Sequence, residues 1–474
     1  MHCIVRSLRI DPSKLLLFSL CWGLFVACLP SCAEKDGSIP SVSDLRLSVD
    51  SICFDSVFLT EVSPTHVVRV YNLTSHSIVI PRLALQGGSQ SQFSLLIDGA
   101  QTTEAQDVRI EGRDSLTILA RVRPISTTVT TERLHDELVL SLRDGGKRSV
   151  RLLATGLAHN DVGENDFQRL NALLQEAPKT PLLITRTVEV PKGETLYIPA
   201  GVKLYFRPQA GLRVYGSLVI EGVPKQHALL AGERLDTAYR DTPGQWLGIS
   251  LMPGSGPHRI KNATIRAAVT AIRTDSVQRL SVIENSIVRG SSRDAMVFKR
   301  SNFLLRGCIF TQNSGAAVAV AGSRLSLIHC SLNGMTRFGQ SRRSALISLE
   351  KPPQGTQNQI SVINSIVWGN YEVEFRSYDT ERFANEIVTL SHSLIRWGSQ
   401  RPPIADHWEG VIYSPPQWEN ASKHDLALKS SSPARGTALV LEESEDAEDI
   451  NGFPRLHGDG TVDMGALVWD EVED

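Results

Sequence analysis

A six-position pattern returns along the second half of this 474-residue chain, and few folds accommodate it. It reads apolar, any, Asn/His/Gly, small, any, apolar. It occurs at 260–265, 283–288, 305–310, 327–332, 362–367 and 390–395. The third position is Asn262, Asn285, Gly307, His329, Asn364 and His392, so the copies are 23, 22, 22, 35 and 28 residues apart. A period near 22 suits one coil of a parallel β-helix, with three short strands and three corners. A leucine-rich repeat has a similar period, but its Leu-x-x-Leu-x-Leu-x-x-Asn spacing is missing. Coils stack about 4.8 Å apart, so each column of the pattern becomes a ladder. The apolar columns, with Ile260, Ile283, Leu305 and Leu327 among them, are predicted to stack as one core. The Asn/Gly/His column fits a corner with left-handed backbone, which Gly and Asn tolerate best. The small column (Ala263, Ser286, Cys308, Cys330, Ser365, Ser393) follows that corner, where space is tight. Cys308 and Cys330 become stacked neighbours within disulfide reach. A reduced buried pair is preferred over an oxidised one.

The same architecture extends upstream. Val188/Val190, Leu196/Ile198, Leu204/Phe206, Leu212/Val214 and Leu218/Ile220 pair at period 2 between Gly193, Gly201, Gly211, Gly216 and Gly222. Strands this short and this punctuated suit a coiled sheet, placing the β-helix at 183–400. Two coils are overlong. One carries Ser341-Arg342-Arg343 and Pro352-Pro353, the other Tyr371, Phe375, Tyr378 and Phe383. Insertions leave a solenoid as loops and often build its binding face. Residues 401–474 are read as a last coil and cap, because an open coil edge invites aggregation.

Residues 44–158 read differently. About seven short alternating segments, including His66–Tyr71, Phe93–Ile97 and Ser115–Leu119, are broken by Asp98-Gly99 and Asp144-Gly145-Gly146 turns. This predicts an immunoglobulin-like β-sandwich, without the Cys…Trp…Cys core signature. Residues 159–182 are read as a linker with one short helix over 166–174, ending before Pro178. The fold class is therefore all-β, a sandwich followed by a right-handed parallel β-helix with a C-terminal cap.

The N-terminus is an address. Arg6, Arg9 and Lys14 precede the apolar run 15–29, a secretory signal too short for a good permanent span. It ends in Leu29-Pro30-Ser31-Cys32, which resembles a bacterial lipobox, so residues 1–31 are read as the signal peptide, Cys32 as the lipidated residue and 32–43 as a tether. Acyl chains on Cys32 would hold the protein on a bilayer, each buried CH₂ being worth about 0.8 kcal/mol. Ala33-Glu34-Lys35-Asp36 resembles the acidic export signal of surface lipoproteins of Bacteroidetes. The sandwich layout VYN…LxLxGG…IDG…DSL…DELVLSL and the segment Gly232–Ile249 resemble the same lipoproteins. Asp425–Leu428, Ser432-Pro433-Ala434, Asp449–Arg455 and Asp463–Ala466 resemble the C-terminal segment of secreted β-helix proteins of the choice-of-anchor type. The resemblance implies an outer-membrane, lipid-anchored protein, surface exposed, with the sandwich as spacer or interaction surface. It implies almost no biochemical role. Besides the membrane, a glycan or a surface protein is the expected partner.

Composition excludes one class. With 49 Lys+Arg against 51 Asp+Glu, the chain lacks the concentrated cation excess that nucleic-acid binding needs. Chemistry is sparse elsewhere. Arg259-Ile260-Lys261 resembles the Arg-x-Lys of pectinase-type hydrolases, but no Asp-Asp pair accompanies it, and His457-Gly458 lies in the tail, where a turn is expected. Lyases of this fold need a base beside Ca²⁺ carboxylates. Arg234, Asp236, Arg240 and Asp241 are the candidates, against a solvated charged loop. The acidic run 442–449 lacks the alternating oxygen-ligand spacing with Gly that holds Ca²⁺. There is no His-Glu-x-x-His, P-loop, Gly-x-Ser-x-Gly or Cys-x-x-Cys, and no cofactor or catalytic residue is assigned. The ligand-binding candidates are Trp368, Trp397 and Tyr371, as flat faces for sugar rings or as packed core, with Arg234, Asp236 and Asp241. Non-catalytic binding is the preferred function; a polysaccharide lyase or glycoside hydrolase is the alternative.

Overall fold

The computed structural model describes residues 41–125, 130–176, 178–336, 342–379, 386–399, 408–442 and 447–469. The signal segment with Cys32, and Ser341, Phe383, Glu443, Glu445 and Asp446, lie outside them. Two units are distinguished. One takes in Thr65–Ala120, Asp136–Arg151 and the residues up to Ile52; the other takes in Cys53–Pro64, Arg121–His135 and the chain from Leu152 on.

Two five-stranded antiparallel sheets make the immunoglobulin-like sandwich. One orders Leu45–Leu47, His66–Asn72, Ser115–Val122, Phe93–Ile97 and Ala100–Thr102; the other orders Ser51–Phe58, Lys147–Leu157, Thr131–Ser141, Ile78–Leu85 and Glu104–Ile110. Period 2 governs the burial. In Ser115–Val122 the side chains of Leu116, Ile118, Ala120 and Val122 are buried, while Thr117 and Arg121 face water.

From Asn160 onward the chain winds as a right-handed parallel β-helix with three faces. Among the described residues the first face has ten strands, from Asn160–Val162 to Leu394–Ile395. The second has eight, from Val188–Val190 to Phe375–Ser377, and the third eight, from Thr195–Pro199 to Glu386–Ser391. One coil runs Ala263–Arg266, Ile272–Asp275 and Ser281–Glu284, and the next begins at Ile287–Arg289. The predicted ladder is present. Ile198, Ile220, Ile260, Ile283, Leu305, Leu327, Val362 and Leu390 pair in register up the third face, all within the buried core. Leu204, Leu230, Ile265, Val288 and Phe310 do the same on the first face, and Leu212, Ile249, Ile272, Met296 and Val318 on the second.

The corners carry the backbone irregularity that lets flat strands wind. Every third-column residue is left-handed: Asn262, Asn285, Gly307, His329, Asn364 and His392 have φ between 42° and 61°. Gly307 has a second reason to be glycine. A Cβ there would lie 2.1 Å from Asn285 Oδ1 and 3.0 Å from the Arg455 guanidinium. The other two corners have their own left-handed residues, Ala267, Gly290 and Gln312 after the first face and Ser276, Arg300 and Gly322 after the second. Turning at a corner aims N–H groups along the axis. Buried serines of the next coil accept them: Ser286 Oγ from Ala263 (3.1 Å), Ser365 Oγ from Cys330 (3.0 Å) and Ser393 Oγ from Ser365 (3.1 Å). Cys308 and Cys330 occupy the same column as free thiols, each donating to carbonyls at 3.4–3.5 Å.

Both open ends are closed. The stretch read as a linker contributes a first-face strand, Asn160–Val162, and one helix, α1 (Phe167–Gln175). Asp166 caps α1 by accepting the Arg169 N–H at 3.2 Å. Phe167, Leu170 and Leu174 fall on one face of the helix and join the core against the first coil. At the far end Trp397 and Trp408 pack on the core, and bridges from Ser391 to Glu409 and Leu394 to Ile412 add part of a coil. The tail beyond it covers a flank. Trp418, Leu426, Leu428, Ile450 and Met464 pack on Ile309, Ile366 and Leu394, the outward residues of the first face. Those three fill the "any" position of the repeat, so that face is apolar on both sides and needs a cover.

Candidate functional site

Where the first face turns toward the second, its last outward residue repeats from coil to coil. Arg266, Arg289 and Thr311 pair in register there, and Asn333 and Trp368 continue the column. The tail occupies its middle: His424 Nδ1 lies 2.6 Å from Thr311 Oγ1, and Asn333 Nδ2 donates to the Ala421 carbonyl at 2.9 Å. Two clusters remain, one on each side.

The upper cluster is formed by the 15-residue insertion 233–247 and the strands beside it. Asp241 lies 3.5 Å from Arg266 Nη1, 3.4 Å from Arg289 Nη2 and 3.9 Å from Arg240 Nε. Burial lowers the pKa of Arg266; Asp241 opposes that shift, while Arg289 and Arg240 add to it. Burial raises Tyr205 against the pull of Arg266 and Arg240. Asp236 does a different job from Asp241. It is buried, accepts the Tyr239 N–H at 3.0 Å and holds Arg234 Nε at 2.7 Å, while the Arg234 guanidinium lies over the Tyr239 ring. That fixes the turn at the start of the insertion. In the second unit, Arg240 also borders an open cavity of about 550 Å³ lined by Cys53, Asp55, Arg133, His135 and Thr237.

The lower cluster surrounds Trp368 and Tyr371, both partly exposed. The Arg396 guanidinium lies 5.6 Å from the Trp368 ring and donates to the Gly369 carbonyl. Arg342 lies 4.8 Å from the Tyr371 ring, and the Tyr371 hydroxyl donates to the Arg342 carbonyl. Beneath them Arg342 and Glu374, both fully buried, pair at 2.5 and 2.7 Å, and Glu374 also accepts the N–H of Leu346 (3.1 Å) and of Tyr371 (3.0 Å). Trp397 is not beside them. It stacks on Phe375 at 5.9 Å and meets Trp408 edge-on at 5.4 Å, closing the helix end.

The structure thus brings Trp368 and Tyr371 together, and Arg234, Asp236 and Asp241 together, and it sets Trp397 apart. Arg266, Arg289, Glu374 and Arg396 were not singled out from sequence, and Arg342 was named there only within the basic stretch of an overlong coil. A signal existed for two of them: Arg266 and Arg289 directly follow the last apolar residue of successive repeats. The Arg259-Ile260-Lys261 resemblance resolves as strand alternation, with Ile260 inward and Arg259 outward beside Glu221 at 3.3 Å. His457 sits in a turn closed by the Thr461 carbonyl and the Gly460 N–H, and pairs with Asp463 at 3.0 Å. Among the described residues no group of three His, Cys, Asp or Glu side chains could hold a metal ion, and no helix is long and apolar enough to cross a membrane. Chemically, the upper cluster offers guanidinium N–H groups to an oxyanion. The lower offers two aromatic faces backed by cations.

No family model matches the chain, and no curated protein matches it. Among solved structures it is similar to the PapD-like domain 7 of human CEP192, with 12% identity, a TM-score of 0.17, and coverage of 26% of this chain and 91% of that one. It is similar to a family 123 glycoside hydrolase from Clostridium perfringens, with 8% identity, a TM-score of 0.18, and coverage of 29% of this chain and 34% of that one. It is also similar to the catalytic unit of the GH87 alpha-1,3-glucanase from Streptomyces thermodiastaticus strain HF3-3, with 10% identity, a TM-score of 0.33, and coverage of 69% and 73%.

Proposed function

We propose that this is a lipid-anchored cell-envelope protein, tethered through Cys32, whose β-helix binds a glycan or a surface protein without altering it chemically. The observation that supports the binding role is the pairing of partly exposed Trp368 and Tyr371 with Arg396 and Arg342 on one corner. Aromatic faces with a fixed cation behind them suit a sugar ring and its hydroxyls. The resemblance to surface lipoproteins of Bacteroidetes supports the outer membrane as location. A glycan array tests the binding role: Trp368→Ala is expected to lose binding by about five- to tenfold, since one stacked ring is worth about 1–1.5 kcal/mol. An array on which the parent chain retains no glycan counts against it. Fractionation tests the anchor, with Cys32→Ser expected to move the protein out of the membrane pellet.

A lyase or hydrolase is the second reading, favoured by the carboxylate and guanidinium groups around Asp241. It requires products from acidic or neutral polysaccharides, seen as reducing ends or unsaturated-uronate absorbance. Loss of such products in Asp236→Ala or Asp241→Ala would establish it. The occupancy of Asp236 by Arg234 and the Tyr239 N–H favours the non-catalytic reading.

A further inference from the structure

The upper cluster is electrically incomplete. Among the described residues the ion pairs of Arg240, Arg266 and Arg289 converge on Asp241, and those to Arg266 and Arg289 are loose, at 3.5 and 3.4 Å. The Arg266 side chain is only 9% exposed, so its charge has lost most of its water. The Nε atoms of Arg240, Arg266 and Arg289 are all buried without a hydrogen-bond partner. A buried guanidinium without its acceptors is costly, and two oxygens of a carboxylate or a sulfate fit the guanidinium fork. Arg289, with 32% of its side chain exposed, keeps the cluster open to solvent. The cavity beside Arg240, with Arg133 and His135 on its wall, has room for a sugar ring.

We infer that Arg240, Arg266 and Arg289 form a subsite for the carboxylate or sulfate group of an acidic polysaccharide. Asp241 holds the three arginines in place and is the internal competitor of the ligand. This rests on the glycan-binding reading and sharpens it to one charge class.

The test measures binding of the full chain, at fixed low salt, to an oligogalacturonate, a sulfated oligosaccharide, a neutral maltooligosaccharide and inorganic sulfate. At least one acidic oligosaccharide is expected to bind tenfold or more above the neutral one, and which of the two does so tells carboxylate from sulfate. Arg289→Gln and Arg240→Gln, both at partly exposed positions, are each expected to weaken that binding by about tenfold. Asp241→Asn is expected to tighten it several-fold, an effect of opposite sign that a folding defect does not mimic. Equal binding of acidic and neutral chains, indifference to Arg289→Gln and Arg240→Gln, or weaker binding by folded Asp241→Asn overturns the inference. Neutral binding lost in Trp368→Ala, without any acidic preference, overturns this subsite and leaves the glycan reading standing. Binding of inorganic sulfate but of no oligosaccharide overturns both.

Discussion

Single residues decide whether the chain can turn its corners. Asn285 and Asn364 hold left-handed backbone at φ 44° and 52°, and their amides also reach outward to carbonyls of the tail. The corner serines close the complementary gap, since each accepts an N–H that the bend has freed. Ser365→Ala is expected to cost about 1–3 kcal/mol, because the Cys330 N–H is left buried without its acceptor. Denaturant unfolding measures this, and an unchanged midpoint would sink the serine-ladder account. Lys225 gives the opposite case. It sits exposed at φ 66° in the turn after Pro224, a position that suits glycine. Lys225→Gly is expected to raise stability by up to about 1 kcal/mol, read as a higher unfolding midpoint. At this scale the sequence was legible at one corner in three. Asn, Gly and His announce left-handed backbone, so the column from Asn262 to His392 stood out. Ala267, Gln312, Ser276 and Arg300 adopt the same conformation with residue types that signal nothing, because the stacked coil imposes it on them.

Elements are held to one another by the same economy of polar groups. The N–H of Leu218 in the strand Ser217–Glu221 donates to His258 Nδ1 at 3.1 Å, and Nε2 faces Ser255 Oγ at 3.1 Å. His258 is therefore neutral in the fold, and burial holds its pKa at about 4 against 6.5. The native state takes up this proton later than the unfolded chain does. The contribution is complete above about pH 6.5 and declines as the pH falls toward 4, reaching about 3 kcal/mol in all. His258→Asn should flatten that part of the stability–pH curve; a curve of unchanged slope excludes the assignment. The thiols provide a second check. Cys53 is exposed, whereas burial pushes Cys308 well up and encloses Cys330 with it. Alkylation of the native chain should modify Cys53 within minutes and the other two only on unfolding. Period-2 alternation made the strands legible, and Asp166 with its apolar 3–4 spacing made α1 legible. The role of α1 was not, because a short amphipathic helix looks the same whether it joins two domains or closes a solenoid.

At the scale of the whole molecule, the tail motifs prove to be fasteners. Asp449 accepts the N–H groups of Asn451 and Phe453 at 2.8 and 2.9 Å and of Val468 at 3.1 Å. Asp463 accepts those of Gly436 and Trp469, both at 2.8 Å. Arg455 is buried, its pKa lowered to about 10, and donates to the carbonyls of Gly465 and Ala466 at 3.1 and 3.3 Å. Arg455→Met is expected to loosen this segment ahead of the coils, so limited proteolysis should cut within 430–469 while the β-helix core survives. Cleavage spread evenly over the chain would contradict it. The candidate site was only half visible for a related reason. Aromatic residues in an overlong coil attract notice, but an arginine at the end of a strand looks like ordinary surface until the coils above and below it are superposed.

The tail is attached at fixed heights on the solenoid. Asn285 holds the carbonyls of Glu448 and Asp449, Ser331 the N–H of Ala466, and Asn364 both polar groups of Leu439. It therefore acts as a ruler. Duplicating or deleting one turn between Asn285 and Asn364 would offset these anchor points by about 4.8 Å, more than a hydrogen bond can stretch. Growth by repeat duplication is blocked in that stretch, and the seating of Gly452 against Pro224 extends the same constraint to the turn before Ile260.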